Sequence, residues 1–198
     1  YTSGFVFSQN LYLKIFFKNP LVSSFCAQKK GSSYLLFGKQ IKGALSIGDS
    51  TNAEIDKAKR ENIKLNHSAT HLLHSALIKN IGTSVQQKGS LVSDEKLRFD
   101  FSCEKPIKRE VLNTIEIEVN KNIEKKIPAS TKIMNKDQAI SAGAIALFGE
   151  KYDETVRVLS FGDVSTELCG GTHVNNTGDI GVFKILSESS IASGVRRI

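Results

Sequence analysis

Histidine and cysteine are scarce in this chain, with four of the first and three of the second among 198 residues. Cys26, Cys103 and Cys169 are too few and too scattered for a disulfide framework, which points to a reducing compartment and predicts a cytoplasmic protein. No apolar run is long enough to span a bilayer. Leu11–Phe17 is interrupted by Lys14, and no cleavable signal pattern follows it, so no membrane partner is expected. Repeats and low-complexity tracts are missing too, and with 40% hydrophobic residues disorder is not the default reading. Acidic residues are outnumbered, 20 against 27 Lys and Arg, leaving a formal charge of +7. That excess suits a polyanionic partner, nucleic acid first, although a basic solvated surface has the same composition. The chain opens on Tyr1 rather than Met and stops within a strand-like run, Gly194–Ile198, as expected of a piece of something longer.

The length suits one large domain or two small ones. From Phe5 to about Asp56 short strand-like runs (Phe5–Phe7, Leu11–Phe17, Ser33–Phe37) alternate with Asn, Pro, Gly and Ser breakers, predicting a small β-barrel-like part over residues 1–58. Beyond it, Ala69, Leu72, Leu73, Ala76 and Leu77 recur at helical spacing, with Gly82 as a stop signal, predicting a helix over Asn66–Lys79. Lys88–Val92 and Leu97–Phe101 read as paired strands around Ser93–Glu95. Ile107, Val111, Ile115, Val119 and Ile123 form the core stripe of a helix through Lys126. Its basic face is equally consistent with RNA phosphates and with solvent. A short helix is predicted over Asp137–Ala142, then strands over Thr155–Phe161 and Ile180–Ser187, with a loop from near Gly162 between them. The expected architecture is α+β, a helix-on-antiparallel-sheet domain spanning 59–198.

Three of the four histidines and one cysteine fall in two short motifs, His67-Ser68-Ala69-Thr70-His71 and Cys169-Gly170-Gly171-Thr172-His173. Residues four apart on a helix share a face, so His67 and His71 can address one point in space. The second motif offers a thiolate and an imidazole across two glycines that let the backbone bend. Either motif alone reads as packing. Together, in a histidine-poor chain, His67, His71, Cys169 and His173 make a four-donor set suited to one Zn2+ better than to magnesium or calcium, although iron or cobalt fits the same donors. His74 is offset around the helix and stands outside the set. A closed four-donor site is normally structural, whereas the small polar residues Thr70 and Thr172 and the glycines leave room for a ligand to approach. The absence of a glutamate after His67 excludes an H-E-x-x-H peptidase.

Five runs in order, Asn66–His74 (NHSATHLLH), Gln87–Val92 (QKGSLV), Arg98–Ser102 (RFDFS), Ala146–Tyr152 (ALFGEKY) and Glu167–His173 (ELCGGTH), resemble the editing region of alanyl-tRNA synthetases. The likeness extends from about Asp49 to Ile198, and more loosely through the β-rich start, where that family has a barrel. It implies an editing domain of the threonyl/alanyl type. It also implies a zinc ion on His67, His71, Cys169 and His173, and hydrolysis of tRNA(Ala) mischarged with serine or glycine. Gln87 and Thr70 would line the pocket for the misplaced amino acid. In the family the intact enzyme joins alanine to tRNA(Ala); ATP and Mg2+ serve an aminoacylation domain that this sequence lacks. Cys103 departs from the pattern, standing where the family commonly has histidine. Two other readings remain at this level: a zinc-stapled RNA-binding module without catalysis, and a free-standing trans-editing deacylase.

Overall fold

Bulges, caps and a buried sheet decide where the sequence patterns become elements. The computed structural model describes residues 13–16, 21–30, 33–43, 46–48, 52–147 and 152–198. Phe5–Phe7, the ends of Leu11–Phe17 and Phe148–Lys151 of the ALFGEKY run lie outside them. The chain divides into two units, Tyr1–Asn62 and Ile63–Ile198.

In the first unit, β1 (Leu13–Phe16), β2 (Leu21–Lys30), β3 (Ser33–Lys42) and β4 (Asn52–Ile55) form an antiparallel sheet in the order β3-β2-β1-β4. Among the described residues it does not close into a barrel. β2 escapes a period-two reading of its sequence because the β2–β3 register shifts at Leu21/Val22 and Ser24/Cys26, and each bulge inverts the alternation. Helix α1 (Lys57–Ile81) starts well before the apolar periodicity does. Asp56 supplies the start, its carboxylate accepting from the Lys59 amide at 3.2 Å, which satisfies one of the orphan donors of a first turn.

The second unit holds most of α1, followed by β5 (Gln87–Val92), β6 (Leu97–Ser102), α2 (Arg109–Glu124), β7 (Ala129–Asn135), α3 (Lys136–Ser141), β8 (Thr155–Phe161), β9 (Ser165–Leu168), β10 (Ser189–Ala192) and β11 (Val195–Arg197). Two antiparallel sheets result, β10-β11-β6-β5 and β7-β8-β9, giving an α+β fold of helices on antiparallel sheets. The main core joins Leu72, Leu73 and Leu77 of α1, Phe99 and Phe101 of β6, Ile115 and Val119 of α2, and Leu159 and Phe161 of β8, all essentially inaccessible to solvent. β8 is buried on both faces. Val156 and Val158 pack instead with Ala139, Ala144 and Leu168 in a second cluster.

The predicted strand over Ile180–Ser187 is not formed. Thr177–Ile180 is a 3-10 turn closed by a capping box between Asn176 and Asp179, and the extended residues after it pair with side chains of α2. Asn120 accepts from the Phe183 amide at 2.9 Å and donates to its carbonyl at 2.9 Å, while Glu116 accepts from the Ile185 amide at 2.8 Å. Phe183 and Ile185 are buried, and Val182 and Leu186 are exposed. The alternation is that of a strand, but its backbone partners belong to a helix. β7 has no sequence mark for the opposite reason: it is an edge strand, mostly exposed and without apolar alternation, and Ile133 lies open to solvent.

Candidate metal centre

Helix α1 carries His67 and His71 on one buried face, and the segment leaving β9 brings Cys169 and His173 against them. The four donor atoms lie within 4.8 Å of one another. Cys169 Sγ is 3.5 Å from His67 Nε2 and 3.5 Å from His173 Nε2, and His71 Nε2 is 3.2 Å from His173 Nε2. Donors about 2.0–2.3 Å from a tetrahedral ion stand roughly 3.3–3.7 Å apart. These three separations lie close to that spacing, within a set spanning up to 4.8 Å, so the four donors can hold one metal ion and are compatible with Zn2+. His74 takes no part, its Nδ1 lying 3.1 Å from Glu167 Oε1.

Loop and helix are fastened to each other at several points. The Arg157 guanidinium, from β8, donates to the carbonyls of Cys169 at 2.8 Å and Gly171 at 3.0 Å. Ser68, fully buried between the two ligand histidines, accepts from the Val174 amide at 3.1 Å. His67 Nδ1–H donates to the Thr172 carbonyl at 3.3 Å, which leaves Nε2 facing the thiol. The glycines of the loop act differently from the expected bend, since neither has a positive φ. Gly171 is required by close approach, because a Cβ there would stand 2.1 Å from His67 Cε1; a Cβ on Gly170 would meet nothing within 4 Å.

The electrostatics suit cation binding. Burial would raise the Cys169 thiol, but the facing imidazoles of His173, His67 and His71 outweigh it and bring the pKa down to about 3. Burial lowers His173 to about 4, against the opposing pull of Cys169. Burial also acts to lower His71, yet the carboxylate of Glu167, 3.0 Å from its Nδ1, raises it to about 10. Glu167 itself is held well below the usual carboxylate range: burial opposes this, and His71 and His74 overcome it. A thiolate and neutral imidazoles are the forms that ligate metals, so a metal entering the cluster displaces the proton that Glu167 holds on His71 in its absence.

The other sequence candidates are not among the four donors. Thr70 is buried in α1 and its hydroxyl donates to the Asn66 carbonyl at 2.8 Å. Gln87 opens β5, half-buried, opposite Phe101 and beside a register shift. Cys103 follows β6, its thiol donating to the Lys105 carbonyl at 3.2 Å. Glu167 and Arg157 were not singled out from sequence. For Glu167 the available signal was its place two residues before Cys169 in a quoted motif; for Arg157 there was none.

Three imidazoles and one thiolate, shared between a helix and a loop leaving a β-hairpin, define an α+β domain with a candidate metal centre. Residues 156–198 match the family model of the threonyl and alanyl tRNA synthetase second additional domain. That segment runs from β8 to β11 and contains Arg157, Glu167, Cys169 and His173. The match supports an editing-type domain shared by these synthetases, with tRNA as partner, and does not distinguish the alanyl from the threonyl branch. Among the described residues no helix is long and apolar enough to cross a membrane.

Proposed function

We propose that this chain is the editing region of an alanyl-tRNA synthetase and hydrolyses the ester that joins serine or glycine to tRNA(Ala). The observation that carries this reading is the His67–His71–Cys169–His173 cluster, two of whose donors lie in the segment matching the synthetase family. Residues 59–198 are the editing domain and residues 1–58 a partial β-barrel segment before it. The parent protein is a cytoplasmic alanine–tRNA ligase whose ATP and Mg2+ serve another domain.

The need for such a site is energetic. A pocket shaped for alanine cannot strongly exclude glycine, and an added hydroxyl is only modestly discriminated, so a second hydrolytic sieve supplies the missing selectivity. When bound by the four donors, zinc supplies a Lewis acid that can hold or polarise the aminoacyl group. Thr70 has committed its proton to Asn66, so towards substrate its oxygen accepts, matching the hydroxyl proton of a seryl group. Gln87 offers an amide with both donors and an acceptor. In the reaction water adds to the ester carbonyl carbon, the bond to the ribose oxygen breaks, and that oxygen takes a proton.

The test is release of serine from Ser-tRNA(Ala), with Ala-tRNA(Ala) as the control. Serine release well above the spontaneous rate, with Ala-tRNA(Ala) spared, supports the reading; release at the spontaneous rate contradicts it. A second reading is favoured by the closed count of four protein donors, the usual mark of a structural zinc: an RNA-binding module in which the metal only joins helix to loop. It predicts loss of RNA affinity on chelation and no deacylation at any metal content.

A further inference from the structure

Glu167 is a buried carboxylate that touches one donor of the cluster without being a donor itself. Ser165 and Glu167 alternate inward from β9, both buried. Its two oxygens are divided between two histidines of α1, Oε2 lying 3.0 Å from His71 Nδ1 and Oε1 3.1 Å from His74 Nδ1. The Ser165 hydroxyl donates to Oε1 at 3.2 Å.

From this geometry we infer that Glu167 is the positioning residue of the centre, a bridge between His71 and His74 that orients the His71 ring so that its Nε2 faces the ion. The inference rests on the reading that the four donors hold a metal. His74 Nδ1 is hydrogen-bonded to Oε1, whereas His71 Nδ1 faces Oε2 at ion-pair distance without an aligned hydrogen bond; an ionised carboxylate only accepts, so an Nδ1–H on each ring is the form that suits both contacts. For His71 this directs Nε2 towards His173 Nε2, 3.2 Å away. The same constraint fixes His74: its Nε2 is buried without a hydrogen-bond partner, and a proton there would be an orphaned donor. His74, its ring centroid 5.2 Å from that of Phe99, is thereby the fixed arm of the bridge and His71 the working arm. Charge points the same way. Three neutral imidazoles and one thiolate carry a single negative charge, and Glu167 supplies the second that balances a buried divalent cation.

The experiment measures zinc affinity by chelator competition for the wild-type chain and Glu167→Gln, together with the histidine tautomers of the wild-type protein from nitrogen-15 NMR. The expected result is one tightly bound zinc in the wild type and affinity lower by about 10–100-fold in the variant, with His71 and His74 both in the Nδ1–H form. Wild-type binding with the variant within twofold of it overturns the inference alone. If the wild type takes up no zinc, the metal-centre reading fails and this inference with it. If Glu167→Gln does not fold, the tautomer of His74, which is no ligand, decides: Nδ1–H on His74 in the zinc-loaded protein supports the bridge, and Nε2–H there overturns it.

Discussion

Gly171 and Gly170 stand side by side in the sequence and differ completely in what they are for. Gly171→Ala would drive a methyl into the His67 ring, and the ring can yield only by leaving the cluster. The variant is expected to fold and to lose zinc, while Gly170→Ala, facing open space, keeps it; metal content after purification of the two variants checks this. Cys169→Ala removes the thiolate donor and is expected to abolish both stoichiometric zinc and serine release. The four donors were legible in the sequence because residue chemistry and i, i+4 spacing announce them. The residues that orient them were not. Glu167 is read correctly only when β9 is known to lie against α1, and Arg157 only when β8 is known to lie beside the loop whose carbonyls it holds. Thr70 is an intermediate case, since its place beside the donors is visible in the motif but the commitment of its proton to Asn66 is not.

Among the elements, the extended segment after the 3-10 turn is the instructive one, because its alternation is strand-like and its ladder is supplied by Asn120 and Glu116 of α2. Burial would raise the Glu116 pKa, but Lys184 and the Ile185 amide outweigh it and hold it below its ordinary value of 4.5. A carboxyl depressed on folding stabilises the protein above its unfolded pKa, and that contribution is lost as pH falls through the folded one. Glu116→Gln is therefore expected to lower stability at pH 7 by on the order of 1 kcal/mol, since the pair with exposed Lys184 is solvent-screened. The difference from wild type should shrink as the pH falls below about 4.5 and through the lowered folded-state value, as thermal unfolding at each pH would show. A wild-type advantage that does not shrink at all on acidification below that pH contradicts the assignment. Helices α1 and α2 and strands β6 and β8 follow from periodicity, since each has one well-marked apolar face or buried run, while β5, whose one buried residue is Gly89, follows from its place across the turn from β6. β7, exposed at a sheet edge, has no such mark.

At the scale of the molecule, the α+β class followed from the order of patterns, whereas the strand order β10-β11-β6-β5 did not. It depends on β11 settling beside β6, where Arg197 makes a two-pronged pair with Asp100 at 2.7 and 2.9 Å, a long-range choice that no local pattern announces. The metal centre likewise joins α1 to residues about a hundred positions later. A ligand bound only by the native state stabilises it by mass action, so zinc at roughly 100 times its Kd is expected to add about 2.7 kcal/mol to the unit Ile63–Ile198. Calorimetry with and without chelator reads this as a fall in unfolding temperature when the metal is removed. The central claim is tested most directly by serine release from Ser-tRNA(Ala), measured on protein of known zinc content. Turnover that rises in proportion to bound zinc and spares Ala-tRNA(Ala) is the predicted result; stoichiometric zinc with serine released only at the spontaneous rate would contradict it.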